Sequence, residues 1–413
     1  MFKNVSLFLF AALGIVMVTS CSSDSDGYTS VEEILPTVTP IQLSDTQREL
    51  VVSNNDFAFD LFRQSVSPET SGMISPIGAT FVLGMANEAA TGETRAEIIR
   101  SLGFGTNAEA LTDFCKTLIK QVPKTDTSVS VKIANAVVVS DQYTPKTAYV
   151  AKMKDTYDAL VISLDLTQPS SINYINAWCS KQTEGAIPTI VDDDDAHFDV
   201  LLLNSLCFEG GWTEKFDKAD TRTETFTAET GETVDLPLMH RTAIAQYASN
   251  DVLSAVTLPY GGGNWQMIVL LPAEDKTLSD VKAWLSADSW TELKTSLVRR
   301  EVDIKLPRFT TATTTDLLEP LRRTGILRLF TAEAEMPNML EETGVFVQKV
   351  LQKTFIDVNE ERTQVRTVTK AEVGVTSPGP AQPADFHANR PFIYLITEGS
   401  TGAVFFIGTY TGL

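Results

Sequence analysis

Histidine and cysteine are scarce in this chain, whose 413 residues include three histidines and four cysteines. The histidines are His197, His240 and His387, and none stands in the spacing of a nucleophile elbow, a metalloprotease helix or a pair of metal ligands. Imidazole is the side chain that most readily serves as a general base at neutral pH. The scarcity therefore argues against an enzyme, and we expect no catalytic residue, no metal site and no cofactor.

Positive charge is also in deficit, because 33 Lys and Arg face 53 Asp and Glu, for a net charge of −20. This balance argues against nucleic acid and other polyanions as partners. The acidic run Asp192–Asp195 lacks the glycine and the distal glutamate of a calcium-binding loop, so a solvated loop is the preferred interpretation. The run Gly261–Gly263 lacks the lysine and the helix start of a phosphate-binding loop, and predicts a tight turn.

A long apolar run occurs only at the amino terminus. After Lys3, the stretch Val5–Val18 is too short for a membrane span and has the length of a signal-peptide core. The next residues, Val18–Cys21, resemble the lipobox of bacterial lipoproteins, in which the cysteine receives the lipid. We predict lipidation of Cys21 and export to the cell envelope, at the outer-membrane surface or outside the cell. A plain signal peptide that happens to contain a cysteine is the alternative.

The remaining chain shows no internal repeat and no break in composition after residue 45. Its 43% of hydrophobic residues is ordinary for a globular domain. We therefore predict a signal peptide over residues 1–20, a flexible tether over 21–44 and one domain over 45–413. Three cysteines remain in apolar contexts without redox or metal spacing, and they predict small buried thiols; they are Cys115, Cys179 and Cys207.

Helical spacing dominates the first part of the chain and strand patterns dominate the last. Asp45–Val66 and Ile77–Ala90 predict helices. Leu201–Phe208 is an apolar run, with Asn204 and Ser205 inside it, that predicts a central strand covered on both faces. Further predicted strands are Val129–Val139, Leu253–Pro259, Trp265–Leu271, Val302–Phe309, Val345–Val358, Phe392–Thr397 and Ala403–Tyr410. Early helices followed by late strands indicate an α+β fold.

One late stretch combines a strand pattern with a loop. Between Thr363 and Val375 every second residue is small or β-branched and uncharged, whereas Arg366, Lys370 and Glu372 all fall on the other register. This alternation is typical of a strand with one buried face. The stretch nevertheless runs into Pro378–Pro383, which is incompatible with a sheet interior and indicates an exposed loop. A strand that has not yet entered its sheet accounts for both features.

This stretch resembles the hinge of the serpin family. Glu360, Thr363, Thr367 and Thr369 match the hinge pattern, and Arg362 stands in place of its glycine. Further segments resemble family signatures in the same order along residues 45–413. They are Ser75-Pro76 with Ala86–Thr94, Ile133–Ala136, Asn204–Phe208 with Gly210, Trp212 and Phe216, Leu258–Tyr260, Leu306–Phe309, and Asn389–Phe392.

The resemblance implies a serpin-like single domain, with early helices packed on a large central sheet, smaller sheets, and an exposed reactive-centre loop at about 360–390. It implies a monomer that inhibits serine endopeptidases, and also cysteine proteases, by inserting the cleaved loop into the main sheet. The sequence Val-Gly-Val-Thr, residues 373–376, suits a shallow apolar specificity pocket and therefore an elastase-like protease. Family spacing places the cleaved bond at Thr376–Ser377, with Val375–Thr376 and Val373–Gly374 as alternatives. His387 would lie in the exposed loop. A non-inhibitory binding protein and a hydrolase are the competing hypotheses.

Two departures from the family pattern bear on insertion. Arg362 replaces the glycine that relaxes the hinge backbone, within a predicted hinge made of Glu360, Arg362, Thr363, Val365, Thr367 and Thr369. The resemblance also implies a sheet-opening cluster, here Ser75, Asn204 and Gln352. Gly78 and Gln352 stand where the family has serine and histidine. Because glutamine both donates and accepts hydrogen bonds, we expect a network to persist.

Overall fold

The structure, a computed structural model, describes residues 36–192, 198–360 and 383–412. The helices in these ranges are α1 (Asp45–Ser65), α2 (Pro76–Ala89), α3 (Gly92–Ser101), α4 (Ala108–Gln121), α5 (Thr147–Tyr157), α6 (Pro169–Gln182), α7 (Leu278–Trp284), α8 (Ala287–Ser296) and α9 (Leu318–Arg323). The strands are β1 (Gly72–Ile74), β2 (Val129–Ser140), β3 (Leu160–Leu164), β4 (Val200–Gly210), β5 (Arg222–Thr227), β6 (Thr233–Ser249), β7 (Leu253–Tyr260), β8 (Trp265–Pro272), β9 (Val298–Pro307), β10 (Phe309–Asp316), β11 (Lys349–Val358), β12 (Ala384–His387), β13 (Phe392–Glu398) and β14 (Val404–Tyr410).

Serine side chains cap the first two helices. Ser44 Oγ accepts a hydrogen bond from the Gln47 amide, and the Gln47 side chain accepts one from the Ser44 amide, which closes a capping box. Ser75 caps α2, and Pro76 occupies its first turn, where the missing N–H has no helical partner to lose. Nearly every residue of α2 is buried, because the helix packs against β4, β11 and β14.

A mixed five-stranded sheet has the order β10-β11-β4-β2-β3. Its centre is β4, whose apolar run is covered on both faces, as the sequence predicts. On either side of the pair β11 and β4, the next strand pairs antiparallel: β10 with β11, and β2 with β4. By contrast, β11 and β4 run parallel, in register from Lys349 opposite Leu201 to Phe355 opposite Cys207.

A nine-stranded sheet has the order β1-β14-β13-β8-β7-β6-β9-β12, with β5 paired to β6. The 17-residue strand β6 joins its parts, since it pairs with β5, β9 and β7 along successive segments. The predicted hairpin around Gly261–Gly263 is confirmed as β7 and β8. A short strand at the edge, β12, pairs parallel with β9.

Three details of the sequence interpretation were wrong. The predicted strand Val302–Phe309 is two strands in different sheets, because β9 ends at Pro307 and β10 begins at Phe309. Phe309 turns away into an aromatic cluster of the opposite sheet, where it packs on Tyr410. Strand β11 begins at Lys349 rather than Val345. His387 lies in β12, half-buried, rather than in an exposed loop.

The three cysteines of the described residues are free and buried, which confirms the prediction from their apolar contexts. Burial raises the pKa of the Cys207 thiol to about 12. Residues 36–44, at the end of the predicted tether, lie against the domain: Ile41 and Leu43 are buried, and Val38 forms a bridge with Asp126. Among the helices of residues 36–192, 198–360 and 383–412, none has the length and apolar character needed to span a membrane.

Candidate functional site

A buried ion pair lies at Glu360, the last described residue before the predicted loop. Glu360, which follows β11 and is 1% exposed, accepts a hydrogen bond of 2.7 Å from Nε of Arg308. The Thr221 hydroxyl donates to the same carboxylate oxygen. Beside them, Nε1 of Trp212 donates to the carbonyl oxygen of Asn359 at 2.9 Å. The start of the loop is thus held by one charged and two neutral donors from three separate segments.

Electrostatics keep this carboxylate ionised. Burial by itself would raise the pKa of Glu360, but the hydrogen bonds from Arg308 and Thr221 outweigh that effect and hold the pKa below its ordinary value. Arg308 lies between β9, which ends at Pro307, and β10, which begins at Phe309. Glu360 is therefore a charged anchor at neutral pH.

The parallel pair formed by β11 and β4 lies directly beside this anchor. A segment that continued from Glu360, turned back and entered between the two strands would run antiparallel to both. One parallel interface would then be replaced by two antiparallel ones, and antiparallel pairing is slightly more stable per residue. The sheet would become antiparallel from β10 through β2. The geometry therefore offers a favourable position for one additional strand.

A row of buried amides crosses this pair of strands. Gln352, Asn204 and Asn135 are register partners on β11, β4 and β2. Nε2 of Gln352 donates to Oδ1 of Asn204 at 3.1 Å, and Nδ2 of Asn204 donates to Oδ1 of Asn135 at 2.9 Å. Gln352 also exchanges two hydrogen bonds with the Ser75 backbone, of 2.7 and 2.8 Å. The row joins the strands to α2, and strand entry must break its contact between Gln352 and Asn204.

The glycine at position 78 is explained by this row. A Cβ atom on Gly78 would lie 2.1 Å from Oδ1 of Asn204 and 2.9 Å from Nε2 of Gln352. The space that a serine side chain would need is therefore filled by the two amides. Gly78 and Gln352 therefore fit together: the Gln352 side chain on β11 reaches α2, and the absence of a side chain at position 78 leaves room for it.

The structure brings together Ser75, Asn204 and Gln352, the three predicted members of the sheet-opening cluster. Glu360, a predicted hinge residue, is the residue held by Arg308 and Thr221. Sequence reasoning missed Arg308, Thr221 and Asn135 as parts of the site. An asparagine inside a buried strand was the available signal for Asn135, because a buried amide needs partners. Several predicted residues lie outside the described ranges: Cys21, Arg362, Thr363, Val365, Thr367, Thr369, Thr376, Ser377 and His197.

Comparison with known proteins agrees with this geometry. Residues 52–412 match the family model described as "Serpin (serine protease inhibitor)". Human serpin B3 is 30% identical over 384 residues, which is 87% of this chain and 98% of that protein. Human corticosteroid-binding globulin is 27% identical over 391 residues, covering 93% and 95% of the two chains.

A solved structure, that of the thermophilic serpin tengpin in its native state, superposes with a TM-score of 0.81 at 24% identity. It covers 91% of this chain and 96% of its own. At this identity the likeness concerns the fold, and it confirms the predicted α+β architecture of helices on a large central sheet. Together with the family match over most of its length, this shows that the chain belongs to the serpin family.

Proposed function

We propose that this protein inhibits serine endopeptidases by a single-use covalent trap. The serine Oγ of the protease attacks a carbonyl carbon within residues 361–382, an ester bond forms, and the carboxyl-terminal fragment leaves as an amine. The freed segment then enters between β11 and β4 before water hydrolyses the ester. The chain is consumed in this step, so it acts as a reagent and not as an enzyme.

The parallel pair of β11 and β4 is the observation that carries this proposal. A strand that enters there gains antiparallel pairing on both sides. The alternating stretch supplies a suitable strand, because burying each valine of its inward register (Val365, Val373 and Val375) gains roughly 1.5–3 kcal/mol. From Glu360 to Thr376 the extended chain spans ~50 Å at ~3.3 Å per residue, which exceeds the ~36 Å of the 11-residue β4.

The finer features of the proposal come from the loop sequence. We place the cleaved bond at Thr376–Ser377. The four residues that precede it, Val-Gly-Val-Thr, fit a shallow apolar specificity pocket of a protease. The target class is therefore elastase-like serine endopeptidases, with cysteine proteases as a second class. We also propose that the protein works as a monomer, without a cofactor, and is attached to the cell envelope through a lipid on Cys21. Mass determination of the mature amino terminus checks the lipid.

Incubation with an elastase-like protease tests the function. We expect a complex that survives denaturing electrophoresis, together with release of one small carboxyl-terminal fragment. The mass of that fragment identifies the cleaved bond, which we predict to lie between residues 373 and 377. Clean cleavage of the loop without any stable complex would contradict the inhibitor proposal.

The second candidate is a non-inhibitory binding protein of the same fold. It is favoured by the similarity to human corticosteroid-binding globulin, whose name describes the binding of corticosteroids. The same incubation separates the two candidates, because a carrier whose loop is only a substrate yields fragments and no complex.

A further inference from the structure

Two of the three histidines meet on one carboxylate in the nine-stranded sheet. Nε2 of His240 lies 2.7 Å from Oδ1 of Asp303, and Nε2 of His387 lies 2.7 Å from Oδ2. These residues come from the adjacent strands β6, β9 and β12. Asp385 is the register partner of Asp303, and His387 follows it by two positions, so alternation places both on the same face. Three strands therefore supply one polar surface.

We propose that the His–Asp cluster, defined as His240, Asp303, Asp385 and His387, binds a divalent transition-metal ion such as Zn²⁺. The ligand atoms of Asp303, Asp385 and His387 all lie within 4.8 Å of one another. Tetrahedral zinc with bonds of about 2.0–2.1 Å separates its ligand atoms by about 3.3 Å. Small side-chain rotations therefore bring one imidazole and two carboxylates into ligand positions, a donor set that suits zinc.

His240 contacts the carboxylate of Asp303 and is not itself one of the three proposed ligands. Its ring nitrogen holds Oδ1 of Asp303, and the Thr242 hydroxyl donates to the same oxygen at 2.9 Å. The other oxygen of Asp303 faces His387. Outer partners of this kind fix the orientation of a metal-binding side chain and raise its affinity for the metal.

Charge and access both favour a cation at this surface. Lys305 lies on the same face of β9, two positions after Asp303 and in register with His240 and His387. Its Nζ lies 2.8 and 2.7 Å from the two oxygens of Glu224 and is thus directed to a different carboxylate. The side chains of His240 and His387 are 37% and 34% exposed. An ion can therefore reach the ligands from solvent while the sheet stays intact.

Metal binding would fasten the strand that follows the predicted loop. β12 has four residues and lies at the edge of the sheet, paired only to β9 among the described strands. A metal with ligands on both β9 and β12 adds a cross-link between them. Because this arrangement requires the folded sheet, bound metal raises the melting temperature.

Calorimetric titration of untagged, chelator-treated protein with Zn²⁺, combined with thermal melts, tests the site. We expect one ion per chain and a higher melting temperature with zinc. His387→Gln should weaken zinc binding by about 100-fold or more, and His240→Gln by about 10–100-fold. Asp385→Asn is the second ligand variant, because Asp385 is exposed and its replacement should leave the fold intact. This variant should also lose at least about 10-fold in affinity.

The matched control is His197→Gln, which removes the third histidine and should leave zinc affinity unchanged. Absence of zinc binding by the wild-type protein would overturn the proposal and leave a hydrogen-bonded cluster only. Equal affinity in wild type, His387→Gln and Asp385→Asn would also overturn it. So would loss of binding in His197→Gln alone, since the ion would then lie near the run Asp192–Asp195. None of these outcomes bears on protease inhibition.

Discussion

Replacing Thr363 with arginine should convert this protein from an inhibitor into a substrate. Thr363 lies outside the described residues, three positions after Glu360. The alternation in the sequence predicts that its side chain belongs to the inward register. An inserting strand must bury that position early, and burying an unpaired guanidinium costs several kcal/mol. Each 1.36 kcal/mol slows a step about tenfold, so hydrolysis of the acyl-enzyme should overtake insertion. We expect more than about tenfold less covalent complex at unchanged loop cleavage, measured by electrophoresis.

The matched control for this variant is Gln364→Arg. Its position is next in sequence and falls on the outward register, where the wild-type chain already carries Arg366, Lys370 and Glu372. We expect it to form the complex at nearly wild-type efficiency. If Thr363→Arg traps the protease as well as Gln364→Arg does, the assignment of the inward register is wrong.

Replacing Gly78 with alanine should destabilise the native protein by about 2–6 kcal/mol. The new Cβ would lie 2.1 Å from Oδ1 of Asn204, so the amide must move and its bonds to Gln352 and Asn135 are lost. Overpacking a core costs about 1–3 kcal/mol, and a buried polar group without a partner costs about 1–3 kcal/mol more. Urea unfolding of the intact protein measures the change.

The control glycine is Gly72, which is also buried. A Cβ there meets nothing closer than Cγ1 of Val66 at 3.5 Å, an ordinary contact. Gly72→Ala should therefore change stability by less than about 1 kcal/mol. Equal stability of the two alanine variants would show that the amide row does not fill the space above Gly78.

The parts of the fold that the sequence could predict are those written in local patterns. The apolar run at 201–208 predicts a strand covered on both faces, and helical spacing over 45–66 predicts the first helix, where the structure has α1. In each of these cases, the physical cause lies within one element. The structure confirms both because hydrophobic periodicity depends on neighbours in sequence.

The contacts that escaped prediction join residues that are distant in sequence. Arg308 reaches Glu360 across 52 positions because the chain changes sheets between Pro307 and Phe309. The sequence alternates apolar and charged residues from Val302 to Leu306, and Pro307 is the one local sign of that break. His240 and His387 lie 63 and 84 positions from Asp303, so no spacing rule could relate them. Sheet order, which sequence patterns do not specify, creates both sites.

The melting temperature of the loop-cleaved protein, compared with that of the intact protein, tests the central claim most directly. Limited proteolysis within residues 373–377 supplies the cleaved form, and mass determination verifies the cut. Burial of Val365, Val373 and Val375 together with new antiparallel pairing predicts a rise of more than about 5 °C by calorimetry. Equal or lower melting of the cleaved chain would mean that no strand has entered between β11 and β4.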